Sequence, residues 1–272
     1  MFFGFLSGFE TGPGKGTDLF TEQFDFSLPA RVDFVGAGGK TGLILRLLEE
    51  YSQAMPVLYT TTTRIHPPHP LDGLVIISSD NEEYLVRLLE RAVSAWSHGR
   101  RFVATHLESS PNLLRGVAPD FVERLDCVRF PVILNEADGA RSMSLKMPRD
   151  GEPVLLTASN YLVPVIGLDC LNKPLGPETL FRWDMASHRY RLPAGEFVSP
   201  ELAAALLLHP HGVCKDWRPG MRIVPYINKA DVEAEDALAG SLARAVLRNG
   251  NLPIERVVYG SIHSQRASHI CA

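Results

Sequence analysis

The stretch from Val32 to Tyr51 constrains the fold more than any other part of the chain. Val32-Asp33-Phe34-Val35 reads as a strand and runs straight into Gly36-Ala37-Gly38-Gly39-Lys40-Thr41. A helix is predicted from there to about Tyr51, because Leu43 and Leu47 are four apart, as are Ile44 and Leu48, whereas Arg46, Glu49 and Glu50 fall on the other side. Glycines admit positive φ, so successive amides of such a turn can point into one concavity, to which the helix adds its unpaired N-terminal amides. In a G-x-x-x-x-G-K-[ST] phosphate loop the Lys reaches the β/γ-phosphates and the Ser or Thr hydroxyl ligates Mg²⁺. Lys40 and Thr41 stand in those places. The first glycine of the pattern would fall at Phe34, so the loop is a variant, and an ordinary glycine-rich turn is the plainer alternative. A second glycine run, Gly12 to Thr17, has neither a strand before it nor a periodic helix after it and reads as a loop.

Strand and helix signals alternate along the rest of the chain. Strands are predicted at Val57–Tyr59, Leu74–Ile77, Phe102–Ala104, Val132–Leu134, Tyr161–Leu168, Arg222–Ile227 and Arg256–Tyr259, the last of the series. Helices are predicted at Glu82–Trp96, opened by a Ser79-x-x-Glu82 capping box, from Ser199-Pro200 to about Leu208, and at Val232–Arg248. Apolar strands alternating with amphipathic helices imply a three-layer α/β/α fold with a mostly parallel sheet, and the Gly36–Thr41 loop makes the expected fold P-loop NTPase-like. Residues 1–30 are expected to form a loosely packed extension, and 31–272 a single domain. In such sheets ligands lie beyond the carboxyl ends of the strands.

Composition narrows the setting. A net charge of −4 gives no electrostatic case for nucleic acid or an anionic membrane as partner. No apolar run reaches the roughly 18–20 residues needed to cross a bilayer. The start, Met1 to Leu6, lacks a basic flank and is followed by Glu10, so it does not read as a signal peptide. The four cysteines are scattered, which suits free thiols in a cytoplasmic protein.

Two further strand ends carry chemistry. After Val132-Ile133-Leu134 come Asn135-Glu136-Ala137-Asp138-Gly139, two carboxylates where phosphate-loop enzymes hold an acid near the metal. Residue types alone leave open which acid meets the metal. The working assignment puts Thr41 and Asp138 on Mg²⁺, Glu136 on the attacking water, and Arg141, with Lys146 as a weaker candidate, on developing phosphate charge. After the Arg222–Ile227 strand comes Asn228-Lys229-Ala230-Asp231. An N-K-x-D at a strand end resembles the guanine-specificity motif of GTPases. Its Asp accepts from guanine N1–H and the 2-amino group, a donor pair adenine lacks. The competing role for Asp231 is to N-cap the next helix. Ser261, after the last predicted strand, is a second base-contacting candidate.

Other segments divide between function and structure. Thr60 to Thr63 follow the second strand, where hydroxyls could meet a γ-phosphate or end a β-branched strand. His66-Pro67-Pro68-His69-Pro70 reads as a stiff loop more readily than as a metal site, and His209 and His211 read as a helix terminator. Cys170 reads as an inert thiol.

Taken together, these segments resemble the YqeC-like proteins, described as accessory proteins of selenium-dependent molybdenum hydroxylases. The family pattern is a hydrophobic strand with G-A-G-G-K-T, a strand with T-T-T-T, E-A-D-G with a following Arg, G-L-D-x-L-x-K-P-L, and a late N-K-A-D. Here these are Gly36–Thr41, Thr60–Thr63, Glu136–Gly139 with Arg141, Gly167–Leu175, and Asn228–Asp231, in that order. The resemblance covers about Val32 to Ser261. It implies a P-loop-type, nucleotide-binding maturation factor for a molybdenum enzyme, with a client protein as partner. Gly42 departs from the pattern, since relatives often carry a second Thr there. The expected activity is hydrolysis of GTP or ATP with Mg²⁺, the nucleotide being held by Gly36, Ala37, Gly38, Gly39, Lys40, Thr41, Asn228, Lys229, Asp231 and Ser261. A small-molecule kinase, with an acceptor pocket near Asp169 and Arg182, and a non-hydrolysing nucleotide- or cofactor-binding scaffold are the alternatives.

Overall fold

The computed structural model describes residues 19–68, 73–106 and 113–272. The Gly12–Thr17 run and His69 lie outside the described residues. Nine strands, β1 (Ala30–Gly36), β2 (Val57–Thr61), β3 (Leu74–Ser79), β4 (Arg101–His106), β5 (Val132–Glu136), β6 (Tyr161–Gly167), β7 (Tyr226–Asn228), β8 (Arg256–Ser261) and β9 (Arg266–Cys271), stand in the order β9-β8-β7-β6-β1-β5-β2-β4-β3. Neighbours run parallel throughout except β8 and β9, which form an antiparallel hairpin. Three two-residue pieces, Arg64–Ile65, Leu114–Arg115 and Arg222–Ile223, extend the sheet.

Six helices cover it: α1 (Phe20–Phe24), α2 (Lys40–Tyr51), α3 (Glu82–Ser94), α4 (Trp183–Tyr190), α5 (Pro200–Leu207) and α6 (Asp236–Arg248). Strand alternation sends Ala30, Val32 and Phe34 of β1 to one face, where they meet Leu43, Ile44, Leu47 and Leu48 of α2. Each of those four α2 side chains contributes about 1.5–3 kcal/mol on burial, which outweighs the ~1 kcal/mol that a helical glycine such as Gly42 costs. The opposite face is covered by α5 and α6 around Val35 and Val257, and by α3 around Phe102 and Ile133. The predicted α/β class and mostly parallel sheet are therefore what the chain adopts. No helix among the described residues is long and apolar enough to cross a membrane.

Several local expectations change. Residues 20–30 are part of the domain: Phe20 and Phe24 are fully buried against Tyr226 and α2, and β1 begins at Ala30. Their four-residue spacing puts both rings on one side of a single helical turn. The cap of α3 is Asn81, whose side chain accepts from Tyr84 N, and not Ser79. Pro225 divides the predicted Arg222–Ile227 strand, because it has no N–H to give a ladder. The helix predicted from Val232 begins at Asp236, after a 3₁₀ turn. Helix α4 and strand β9 are additions.

Asp33 is a charged residue in the middle of a core strand. Its carboxyl is fully buried, accepts from Asn135 Nδ2 at 2.6 Å and Leu156 N at 3.1 Å, and is pushed by burial to a pKa of about 7. The folded state thus holds this proton more tightly than the unfolded chain. The resulting stabilisation is complete below the ordinary carboxylate value and is lost as pH rises through about 7. Unfolding midpoints of Asp33→Asn measured against wild type should therefore shift in favour of the variant between pH 5 and pH 8. A difference independent of pH would contradict this.

Candidate functional site

The turn after β1 is tighter than a full phosphate loop. Phe34, at the place of the missing first glycine, is a fully buried strand residue, so the turn spans only Gly36 to Gly39. Three of its amides serve the fold: Gly36 N donates to Asp138 Oδ2 at 3.1 Å, Ala37 N to Val165 O at 2.9 Å and Gly38 N to Met143 O at 2.8 Å. Gly36, Ala37 and Gly38, expected in the phosphate cradle, are thus committed to protein acceptors. The amides of Gly39, Lys40, Thr41 and Gly42 are different. They meet no acceptor among the described residues, and the first intrahelical bond runs from Leu43 N to Gly39 O. The open N-terminus of the twelve-residue α2 is where an anion finds unpaired donors and the positive end of the helix dipole.

The two acids occupy different environments. Register places Glu136 beside Phe34 of β1 and Thr61 of β2. Its carboxylate accepts from Thr41 Oγ1 at 3.1 and 2.9 Å and from Tyr59 OH at 2.8 Å. Burial, with Glu136 adding to it, lifts the Tyr59 phenol well above its usual value, so it stays a donor. Asp138 lies past the strand end, turned beneath the loop and fully buried. Lys40 Nζ comes within 3.1 Å of its Oδ1 without hydrogen-bond geometry, and Lys146 Nζ donates to Oδ2 at 2.8 Å. Enclosed by two ammonium groups and a backbone amide, Asp138 does not fit the metal-ligand role expected of it. Glu136 with Thr41 supplies the hydroxyl-plus-carboxylate oxygen pair that suits Mg²⁺.

The ion pairs continue beyond Asp138. Lys146, fully buried and so unable to reach a substrate phosphate, also donates to Glu152 Oε2 at 3.0 Å. Burial lowers its pKa, against the pull of Asp138 and Glu152. Glu152 takes Arg182 in a fork at 2.6 and 2.9 Å and Arg149 Nε at 2.9 Å. Burial raises the Glu152 pKa, but Arg182 and Lys146 prevail and bring it down to about 2. Lys40, Asp138, Lys146, Glu152 and Arg182 form one alternating chain of charges. Lys40 itself is 4% exposed and also donates to Gly36 O at 2.6 Å.

The late motif meets the loop from the other side. Asn228 Nδ2 donates to Gly38 O at 2.7 Å, and its Oδ1 accepts from Tyr226 OH at 3.1 Å. Asp231 does not cap the next helix. Ser261 Oγ donates to its Oδ1, and the nearby amides of Asp231 and Val232 are met by Glu235. Ser261 is fully buried and orients Asp231 from beneath. Lys229 sends its ammonium to Ser144 Oγ at 2.7 Å and Asp169 Oδ2 at 3.1 Å. The hydroxyls of Thr60, Thr61 and Thr62 donate to the carbonyls of Ala104, Glu136 and Val154, so Thr60 and Thr61 close β2 and Thr62 anchors the bend after it. Burial pushes the Cys170 thiol up to about 12, which makes it inert. His209 and His211 pack with Tyr190, and no cluster of metal-ligating side chains occurs among the described residues.

Two cavities adjoin at this place. A cleft of about 1030 Å³ takes in Gly39, Lys40, Thr41, Glu136, Arg141 and Arg182. A smaller pocket of about 470 Å³ is lined by Gly42, Asn228, Asp231, Ser261 and Ile262. Gly39 and Lys229 line both.

The family model described as YqeC protein matches residues 32–184. The chain belongs to the YqeC family. The uncharacterized protein YqeC of Escherichia coli (strain K12) is 30% identical over 217 residues, covering 78% of this chain and 80% of the relative. No solved structure matches. The span matched to the YqeC family holds the loop, both acids and the arginines of the large cleft, whereas Asn228, Asp231 and Ser261 lie beyond it.

Proposed function

We propose that this YqeC-family chain binds a Mg²⁺-complexed purine nucleoside triphosphate, with preference for GTP, and hydrolyses it slowly in a P-loop-like site. The observation that carries this reading is the set of open amides from Gly39 to Gly42 next to the Thr41–Glu136 pair. The base would enter the smaller pocket against Asp231, and the phosphates would pass Gly39 into the large cleft. The open amides would take the phosphate oxygens, and Lys40 would leave Asp138 for the terminal phosphate. Thr41 and Glu136 would hold Mg²⁺, which supplies charge neutralisation at the phosphates. Arg141 would stabilise the charge that develops on the transferred phosphoryl group. A place in the maturation of a molybdenum hydroxylase, with that enzyme as client, follows from the family resemblance.

The test is titration calorimetry with Mg·GTP and Mg·ATP on wild type, Lys40→Ala and Asp231→Ala, with a phosphate-release assay alongside. Wild type should bind GTP at least tenfold more tightly than ATP. Lys40→Ala should weaken both about tenfold or more, and Asp231→Ala should remove the preference. If neither nucleotide binds at millimolar concentration, the turn is structural and the proposal fails. Binding without phosphate release would leave a nucleotide-holding scaffold.

A further inference from the structure

We propose that the large cleft carries a second binding site, for a small molecule bearing a phosphate group, on the wall formed by Arg141, Arg149 and Arg182. Its place beyond the nucleotide's phosphates rests on the reading above, whereas its existence rests on the arginines alone.

Charge is the first ground. Lys40 and Lys229 of the cleft are answered by Asp138 and Asp169 behind it, and the wall itself carries Arg141, Arg149 and Arg182 against the one carboxylate of Glu152, in a chain whose net charge is −4. A concave surface so biased concentrates anions. The second ground is how the positive charge is shared. Arg149 and Arg182 share the single carboxylate of Glu152 with Lys146, which also has Asp138, and Arg141 makes no ion pair among the described residues. Opposing charge is in short supply on this wall.

The wall is also held in place. Leu145–Lys146 pairs in parallel with Leu180–Phe181, which brings the two arginine-bearing turns together. The guanidinium carbons of Arg141 and Arg182 lie 5.8 and 4.8 Å from the centre of the Phe181 ring. Arg141, Ser142 and Arg182 have φ of 46°, 61° and 68°, a left-handed backbone that residues other than glycine seldom adopt and that tends to persist at ligand sites. Arg141, fixed in this way and without a carboxylate partner among the described residues, suits the forked hydrogen bonding of a phosphate, and Arg182, whose fork is held by Glu152, adds its charge beside it. None of these three arginines lines the smaller pocket, and only Arg141 is assigned to the nucleotide's phosphates, so Arg149 and Arg182 remain for another group, with Arg141 shared between the two.

Pyrophosphate is the probe, titrated into the full chain. Lys40→Ala isolates the arginine wall, and Arg141→Gln with Arg149→Gln in that background removes two exposed guanidinium groups whose loss should leave the fold intact. Pyrophosphate should still bind Lys40→Ala and should bind the triple variant about tenfold or more weakly. Loss of all binding with Lys40→Ala, or equal binding by the triple variant, overturns the second site. Failure of GTP and ATP to bind would leave an arginine-dependent pyrophosphate site standing. Nucleotide binding without that site would sink this proposal alone.

Discussion

Asp138→Ala should cost the protein about 3–5 kcal/mol of folding stability. The carboxylate has three partners, Gly36 N, Lys40 and Lys146, and no exposure to water. Its removal strands two ammonium groups in the interior. Lys146 keeps only Glu152 and the Gly139 carbonyl, and Lys40 keeps the Gly36 carbonyl and a carboxylate 4.0 Å away. Leaving a buried charge unpaired is among the few single changes large enough to threaten a domain of this size. In thermal unfolding the midpoint should fall by roughly 10 °C. Asp138→Ala/Lys146→Met should recover part of the loss, because it takes away one of the stranded charges with its partner. A single variant within about 0.5 kcal/mol of wild type would show that the paired charges contribute nothing net.

Gly38→Ala should cost at least about 3 kcal/mol, through backbone and not through charge. Gly38 has φ +89°, and a Cβ placed on it would lie 2.2 Å from Gly167 N and 2.6 Å from Ile166 C. Neither the turn nor β6 can retreat. Gly38 N is bonded to Met143 O, Gly38 O to Asn228 Nδ2, and Gly167 N to Ser144 O. Relief would require breaking one of these, and each leads directly to the loop, the base-side motif or the arginine wall. Gly139→Ala is the control. A Cβ there meets nothing within 4 Å, and the change should stay within about 0.5 kcal/mol. Equal denaturation midpoints for the two variants would show that the loop can relax.

Much of this architecture was readable in the sequence because it is local. The β1 strand, the Gly36–Thr41 turn and α2 follow from composition and four-residue spacing within twenty residues. What escaped was set by partners far along the chain. Helix α4 has eight residues and buries only Ala186, so its apolar periodicity is faint. Strand β9, at the sheet edge, leaves half of its side chains exposed and buries Ala267 alone. Both acids stand out in the sequence, but their surroundings do not. Glu136 faces Thr41 because of strand register, and Asp138 turns inward because Gly36 and Lys146 meet it there, 102 and 8 residues away in sequence. The Lys146–Glu152–Arg182 connection had no motif to announce it. Three charged residues at ordinary spacing become one unit only when Leu145–Lys146 pairs with Leu180–Phe181.

The chain of charges from Lys40 to Arg182 divides the cleft by its access to dissolved ions. Lys40 and Asp138 gave up their hydration when the protein folded, and mobile ions do not penetrate between them. A phosphate bound as proposed would meet a dry lysine and compete with one fixed carboxylate, a contest that added salt would scarcely alter. Arg141 and Arg149, at the exposed end, stand among the counter-ions of the solvent, and the hold proposed for them would weaken as ionic strength rises. One cleft thus has an inner contact insulated from the ionic composition of its surroundings and an outer one governed by it.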